Sequence, residues 1–247
     1  EQADAINPGF IKRMKHGMPW VRCKLAMSLD GRTAMASGES KWITGPDARA
    51  DVQRLRAASC AVITGINTVL NDNPSMRVRP EQLAVEGMLV DINRQPLRVV
   101  LDASLRTPAD AAILGEPGKT VIMCREGLDA AQTPRYADTH TQVEQIPSGN
   151  DGKLDLRAAL QSLARNHGCN EVLIESGPVL SGAMIQAGLV DELVIYMAPS
   201  LLGSDAKPLM NLPGIQLMRD RVQLEIIDVA RVGPDCRITA KVLQPIN

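Results

Sequence analysis

The sequence predicts an α/β fold, with a doubly wound, mostly parallel sheet that ends in a C-terminal antiparallel hairpin. Residues 171–197 give the pattern strand, glycine turn, short helix, strand, which is a βαβ unit. Short apolar runs, typical of strands buried in a parallel sheet, recur at 61–64, 98–101 and 120–123. Residues 224–232 and 236–242 flank a Gly-Pro-Asp turn, which predicts the antiparallel hairpin.

The remaining elements follow from periodicity and turn signals. Apolar and polar residues alternate over 21–28, which predicts a strand, and a further strand is predicted over 141–146. A helix is predicted from Pro46 to about Ala58, another over 67–70, and a third from the capping residue Asp155 to about Asn166. We interpret residues 1–19 as a linker, residues 20–247 as one domain, and residues 77–97 as a long excursion without a period. The chain opens with Glu1, so we expect it to be part of a longer polypeptide.

Composition narrows the class of protein. The formal net charge of −1 argues against a nucleic-acid or polyanion binder. No apolar run reaches the roughly 18 residues of a membrane span, and no signal peptide is evident. The five cysteines form no CxxC pair and the three histidines share no ligand spacing, so we expect reduced thiols, a cytoplasmic location and no metal site.

The turn of the βαβ unit is the first candidate site. Gly177 allows a tight turn, Pro178 suits a first helical turn, and Glu175 stands at the preceding strand end. The amides of this turn face outward where an α/β sheet holds a phosphate. A helix that only packs on a sheet has the same pattern, so spacing alone leaves both interpretations open.

Polar residues at other strand ends have similar alternatives. Lys24 is either a solvated residue of its strand or a cation that faces a substrate, and Asp72 is explained by turn chemistry alone. Trp42 either covers the core or offers a flat surface to a heteroaromatic ring. Arg56 and Arg79 are either surface charges or a clamp for a phosphate.

A resemblance to a known family rests on blocks that occur in this order. They are Ala26-Met-Ser28-Leu-Asp30-Gly31, Gly38-Glu-Ser40-Lys-Trp42-Ile-Thr44, Leu55-Arg56-Ala, Gly65-Ile-Asn-Thr68-Val-Leu-Asn-Asp72-Asn-Pro74, Glu175-Ser-Gly177-Pro178, Leu189-Val-Asp191-Glu-Leu and Leu202-Gly203. Together they resemble the reductase half of the bifunctional riboflavin-biosynthesis deaminase–reductase, which implies a dihydrofolate-reductase-like fold. The family's zinc deaminase half has an H-x-E and P-C-x-x-C signature that this sequence lacks. The resemblance therefore implies a deaminase partner domain in the full-length chain, and also a homodimer.

The resemblance also assigns roles to matching positions. The residues that would contact NADPH are Ala26, Trp42, Thr68, Asp72, Ser104, Gly177, Pro178, Val179, Leu180, Ser181, Gly182 and Ala183. Those that would bind the substrate and its phosphate are Ser40, Arg56, Met76, Arg79 and Glu175. Lys24, Asp72 and Glu175 would surround the ribose carbon that receives hydride.

The implied activity is the reduction of 5-amino-6-(5-phosphoribosylamino)uracil by NADPH, with hydride transfer to C1′ of the ring-opened Schiff base. Two alternatives stay open. One is a reductase of another pterin or folate substrate on the same fold. The other is a non-catalytic nucleotide-binding module, which would bind NADPH without oxidising it when the aminouracil phosphate is added.

Overall fold

The structure is a computed structural model that describes residues 6–83, 94–128, 134–136 and 140–243. Within these residues the α-helices are α1 (Pro8–His16), α2 (Pro46–Ala58), α3 (Ile66–Asp72), α4 (Ala112–Gly115), α5 (Leu156–Arg165) and α6 (Pro178–Gln186). The strands are β1 (Trp20–Ser28), β2 (Arg32–Ala34), β3 (Ala61–Gly65), β4 (Leu97–Leu101), β5 (Thr120–Arg125), β6 (Thr141–Ile146), β7 (Glu171–Glu175), β8 (Glu192–Ala198), β9 (Lys207–Pro208), β10 (Leu224–Val232) and β11 (Asp235–Val242). Short 3-10 turns lie at Pro80–Gln82, Pro134–Tyr136 and Met218–Asp220.

The chain divides into two compact units, each built from two segments. The first unit comprises Glu1–Trp20 and Gln53–Leu173, and the second comprises Val21–Val52 and Ile174–Asn247. The prediction of one domain over residues 20–247 stays a prediction.

Strands β3, β4, β5 and β6 of the first unit run parallel in that order. Strands β3, β4 and β5 each have an apolar stretch, and the register aligns these stretches, for example Val99 with Val121. The result is a core of aliphatic side chains, as expected for a chain with only 2% aromatic residues. The three apolar runs predicted as parallel strands are therefore confirmed.

Part of the predicted linker is helical. Asn7 caps α1 by accepting a hydrogen bond from the N–H of Phe10 at 3.1 Å, and Pro8 occupies the first turn. Gly17 ends the helix with φ 63°, a conformation that few other residues adopt. The capping signals are present in the sequence, but the interpretation of residues 1–19 as a linker did not predict this nine-residue helix.

A buried arginine organises the connection between β4 and β5. Arg98 has no exposed surface and donates to the carbonyls of Ile113, Glu116, Pro117 and Gly118 at 2.7–3.1 Å. Burial lowers the pKa of this guanidinium. The bonds satisfy carbonyls that α4 and the following turn would otherwise leave unpaired.

The second unit confirms the predicted mixture of parallel and antiparallel strands. Strand β1 pairs parallel with β8, whereas β11 pairs antiparallel with both β8 and β10. Helix α6 links β7 to β8, and Gly188 follows it with φ 64°, as the βαβ prediction required. The hairpin turn lies between β10 and β11, where the sequence placed it.

A cluster of polar side chains joins β6 to the end of α5. Glu144 accepts hydrogen bonds from Ser162 and Asn166, and its other oxygen lies 2.9 Å from Nε2 of His167. Burial pushes the pKa of Glu144 upward, but the hydrogen bonds from His167, Ser162 and Asn166 outweigh it and lower the pKa.

Because the folded pKa lies below the unfolded value, Glu144 stabilises the fold above the unfolded pKa and loses this effect as pH falls through the folded pKa. We expect Glu144→Gln to lower the urea midpoint at pH 5, and the difference from wild type to shrink as pH drops below about 4.3. Glu126→Gln, at an exposed glutamate of the same unit, is the control. A difference that grows toward low pH would contradict this sign.

Candidate active site

The turn after β7 is open to solvent and lacks a side-chain cap. Gly177 is the N-cap of α6, with extended backbone and no side-chain hydrogen bond, and Pro178 follows in the first turn. No atom lies within 4 Å of the position where a β-carbon at Gly177 would stand. Free N–H groups at the start of a nine-residue helix favour an anionic group such as a pyrophosphate. The geometry therefore fits the phosphates of a dinucleotide.

Farther along the same stretch, the helix packs against other parts of its own unit. Ser181 is fully buried, and its hydroxyl lies 2.9 Å from that of Ser176. A β-carbon at Gly182 would overlap the carbonyl oxygen of Asn211. Only the beginning of the predicted Gly177–Ala183 site is exposed, with Val179 at 63%.

Lys24 lies on the face of β1 that carries Ala26. Ala26 pairs with Tyr196 of β8, and the ammonium nitrogen of Lys24 lies 5.9 Å from the centroid of the Tyr196 ring. This distance is within the range in which a cation is attracted to the face of an aromatic ring. Lys24 is half-buried, so the solvated-surface interpretation does not describe it.

Tyr196 belongs to a buried hydrogen-bond network. Its hydroxyl donates to Oδ2 of Asp51 at 2.8 Å, and Nη1 of Arg237 donates to the same oxygen at 2.9 Å. Arg237 also donates to Asp228 at 3.1 Å. Burial, followed by the bond to Asp51 and the charge of Asp51, raises the pKa of Tyr196 far above its usual value. The phenol therefore stays protonated and acts as a donor.

Glu175 ends β7 and is 8% exposed. Its charge is one of the influences that raise the pKa of Tyr196, after burial and Asp51. Lys24 and Glu175, two of the predicted catalytic residues, therefore both influence the surroundings of one tyrosine ring in the second unit. A lysine and a carboxylate in such a place can exchange a proton with a bound sugar.

Trp42 is 71% exposed, and the guanidinium carbon of Arg49 lies 4.6 Å from the centroid of its ring. It does not cover the core, which leaves the interpretation as a flat surface for a heteroaromatic ring. Ser40, two residues earlier, is half-buried.

In the first unit, three residues predicted to bind substrate lie together. Arg56, near the end of α2, donates to the carbonyl of Arg77 at 2.9 Å, and its Nη2 lies 3.8 Å from the sulfur of Met76. Gln53, one turn earlier, accepts the N–H of Arg79 at 3.0 Å. Two bonds from α2 thus hold the segment that carries Arg77 and Arg79. Arg77 is paired with Glu116 at 3.5 Å, so the candidates for binding a phosphate are Arg56 and Arg79.

Thr68 and Asp72 are four residues apart on α3 and share a face of that helix. Asp72 is the last helical residue and is exposed, and Asn73 adopts the left-handed cap with φ 43°. Asn73 also accepts the N–H of Ala112 at 2.8 Å, so the turn chemistry belongs to Asn73. A carboxylate at a helix C-terminus opposes the helix dipole. A stabilising effect on α3 therefore does not explain why an aspartate occupies position 72.

Ser104 lies exposed on a tightly held loop after β4. Oδ2 of the buried Asp102 accepts the N–H and the hydroxyl of Thr107 at 2.7 and 2.8 Å. The hydroxyl of Tyr136 donates to the Thr107 carbonyl at 2.9 Å, and Leu105 has φ 52°. These hydrogen bonds hold the backbone of the loop on which Ser104 is exposed.

The sequence did not predict three functional candidates that the structure shows: Asp51, Tyr196 and Arg237. A tyrosine in a buried strand, in a chain with two tyrosines, was the available signal for a polar partner. The predicted set of Lys24, Asp72 and Glu175 draws on both units and stays a prediction as a whole.

Among the described residues, no group of three or more His, Cys, Asp or Glu side chains could hold a metal ion. All five cysteines are free thiols, and burial raises the pKa of Cys23 to about 11. No helix of the described part of the chain has the length and hydropathy needed to cross a membrane.

Comparisons with known proteins identify the family of the chain. The sequence model of the RibD C-terminal domain family matches residues 19–238. The riboflavin biosynthesis protein RibD of Escherichia coli is 44% identical over 95% of this chain, which spans 63% of the length of that relative. A 5-amino-6-(5-phosphoribosylamino)uracil reductase of Buchnera aphidicola is 33% identical, with 83% of this chain and 97% of the relative covered.

The fold is also that of a solved relative. RibD of Acinetobacter baumannii superposes with a TM-score of 0.84 and 39% identity, over 98% of this chain and 63% of that one. The family model covers most of the chain, and the Buchnera relative is matched over nearly its whole length. The chain therefore belongs to the RibD C-terminal domain family.

Proposed function

We propose that the chain reduces the ribosyl group of 5-amino-6-(5-phosphoribosylamino)uracil to the ribitylamino product, with NADPH as the reductant. The observation that carries this proposal is the Buchnera reductase of that name, which the chain matches over 97% of the relative's length. The uncapped, open turn at Gly177 supports the use of a dinucleotide.

The cofactor's pyrophosphate would be held by the first turn of α6, because the turn offers N–H groups without a competing side chain. Ala26, Trp42, Thr68, Asp72 and Ser104 would contact the rest of the cofactor, as the resemblance implies. When bound, NADPH supplies the hydride that C1′ of the substrate receives.

The substrate's phosphate would be bound by Arg56 and Arg79. Arg56 belongs to α2 and Arg79 to the segment that α2 holds in place, and Met76, with φ 53° and 5% exposure, anchors that segment. Ser40 would donate a further hydrogen bond. A phosphorylated substrate is what separates this activity from the reduction of other pterin or folate substrates.

The chain's own residues would handle protons around the sugar. Opening of the ring breaks the C1′–O4′ bond, moves a proton to O4′ and leaves a C1′=N Schiff base. Lys24 and Asp72 would deliver and remove these protons, and Glu175 would accept hydrogen bonds from the ribose hydroxyls. A proton on the Schiff-base nitrogen then makes C1′ electrophilic and ends on the amine of the product.

Loss of absorbance of the reduced nicotinamide, in the presence of the aminouracil phosphate, tests the activity. We expect Asp72→Asn to lower kcat by about 100-fold, because proton transfer by a positioned side chain is lost, with KM for NADPH within about twofold. Asp110→Asn, at an exposed aspartate of the same unit, should leave both parameters unchanged. Equal losses in turnover and NADPH binding would contradict the catalytic role of Asp72.

The ring of Tyr196 should matter through Lys24. We expect Tyr196→Leu to lower kcat by about tenfold with little change in KM, because the ammonium loses the aromatic face beneath it. Tyr196→Phe keeps that face and should stay within about threefold of wild type. Steady-state kinetics distinguishes the two variants, and urea midpoints show whether each is folded. Equal losses in Phe and Leu would assign the effect to the hydroxyl.

We also propose that the chain forms a homodimer through β10. This strand pairs only with β11 among the described residues, and it exposes Ile226, Ile227 and Val229 by 64, 59 and 59%. An apolar strand edge is a template for pairing with a second copy.

Ile226→Lys should shift the protein from dimer to monomer in light scattering at micromolar concentration, because the pairing strand would bury a charge. Phe10→Lys, at an exposed apolar residue of α1, is the control. A monomeric wild type would contradict the homodimer.

Two further proposals concern a partner domain and the cellular location. The RibD relatives are longer than this chain, and we take a deaminase domain to be its partner. The free thiols favour the cytoplasm.

A further inference from the structure

Two blocks of the resemblance have no role in the proposed reaction, namely the Ser28–Gly31 turn and the Leu202-Gly203 pair. The structure joins them through one carboxylate. Oδ2 of Asp30 accepts the N–H of Gly203 at 2.8 Å and that of Leu202 at 3.2 Å, while Oδ1 accepts the hydroxyl of Ser28. A single aspartate therefore fixes the turn after β1 to the chain that follows β8.

The environment of Asp30 favours its charged form. The hydrogen bond from Ser28 is the largest influence, burial opposes it, and the N–H groups of Gly203 and Leu202 add to it, so the pKa falls to about 2. The acceptor is ionised under all ordinary conditions, and hydrogen bonds to a charged acceptor are stronger than neutral ones. Gly203 has φ 90°, which directs its N–H toward the carboxylate at a cost that glycine alone avoids.

Residues 200–211, which we call the strap, are attached along their length to the same turn. The Leu29 N–H donates to the Ser200 carbonyl at 2.8 Å, and the Leu209 N–H donates to the Gly31 carbonyl at 3.1 Å. Between these points, β9 pairs with β2. The strap is therefore held against the turn that contains Asp30, from Ser200 to Leu209.

The far end of the strap lies on α6. The N–H of Asn211 donates to the carbonyl of Pro178 at 3.1 Å, in the first turn of the helix. The carbonyl oxygen of Asn211 occupies the space that a side chain at Gly182 would need. Because this contact joins backbone atoms, no flexible side chain can adjust to a shift. A displacement of the strap is therefore expected to displace α6 as well.

We propose that Asp30 is a positioning residue for the dinucleotide: through the strap, it sets the placement of the α6 turn that holds the cofactor's phosphates. The proposal rests on the proposed function only in taking that turn as the cofactor site. Asp30 itself touches neither cofactor nor substrate in this scheme.

The chemistry of the contact provides a discriminating variant. Asn keeps one oxygen for the Gly203 N–H, and its NH2 group can donate to the Ser28 hydroxyl, which also accepts, so Asp30→Asn removes the charge but keeps these contacts. Asp30→Ala removes the contacts as well, so Asp30→Asn should fall between the wild type and Asp30→Ala. Gly203→Ala attacks the same contact from the other side, because it strains φ 90° in a place with no atom within 4 Å.

The test measures the dissociation constant of NADPH by fluorescence titration of the purified protein, together with amide hydrogen exchange. We expect Asp30→Ala and Gly203→Ala each to weaken NADPH binding about tenfold and to lower protection of the amides of α6 and Asn211, and Asp30→Asn to have a smaller effect of the same kind. Gly127→Ala, at a first-unit glycine with φ 78° and equally open space, is the matched control and should change neither.

The outcomes separate the two proposals. Unchanged NADPH affinity in the folded Asp30 variants would overturn the positioning role, whatever happens to exchange in α6. Weaker binding with unchanged protection of α6 would also overturn it, because the effect would not pass through the helix. If the wild type binds NADPH but does not oxidise it with the aminouracil phosphate, the proposed reaction fails while the positioning test still stands.

Discussion

The carboxylate of Asp51 is the constraint on which the second unit depends. It is 6% exposed, and a charge at that depth is costly unless donors surround it. Tyr196 from β8 and Arg237 from β11 both donate to one of its oxygens, so a helix and two strands share a single acceptor. Removal of either donor would leave this buried charge with fewer partners, which makes this arrangement of side chains hard to exchange for another. The ring of Tyr196 is held in place by the same bond, and Lys24 lies above it.

Two other charged side chains of the molecule are also held by several hydrogen bonds, but most of their partners are backbone groups. Arg98 is a buried cation that four carbonyls satisfy, and Asp30 is an anion held by two amides and a hydroxyl. In both cases a charged side chain defines the path of a segment that connects strands. Charge-assisted hydrogen bonds suit this purpose because they fix direction as well as distance.

Most of the fold could be predicted from the sequence, since buried parallel strands such as β3 and β5 are short apolar runs and Gly188 marks a helix end. Helix α1 was missed although its caps are legible, because its apolar residues are too few to show a strong period. The strap and the short strands β2 and β9 could not be predicted, since they are held by single contacts between residues about 170 positions apart. The network around Asp51 is hidden for the same reason: a lone aspartate in a polar helix looks like a solvated one.

Two glycines of the βαβ unit, Gly177 and Gly182, have different surroundings in the structure. The resemblance gave Gly177 and Gly182 the same role, namely contact with NADPH. In the structure, Gly177 leaves open space at the helix start, whereas Gly182 makes room for the carbonyl of Asn211. At Gly182 the fold requires the absence of a side chain, whereas Gly177 has an ordinary φ of −72° and open space around it. The constraint at Gly182 is imposed by a segment that joins the helix from about thirty residues downstream.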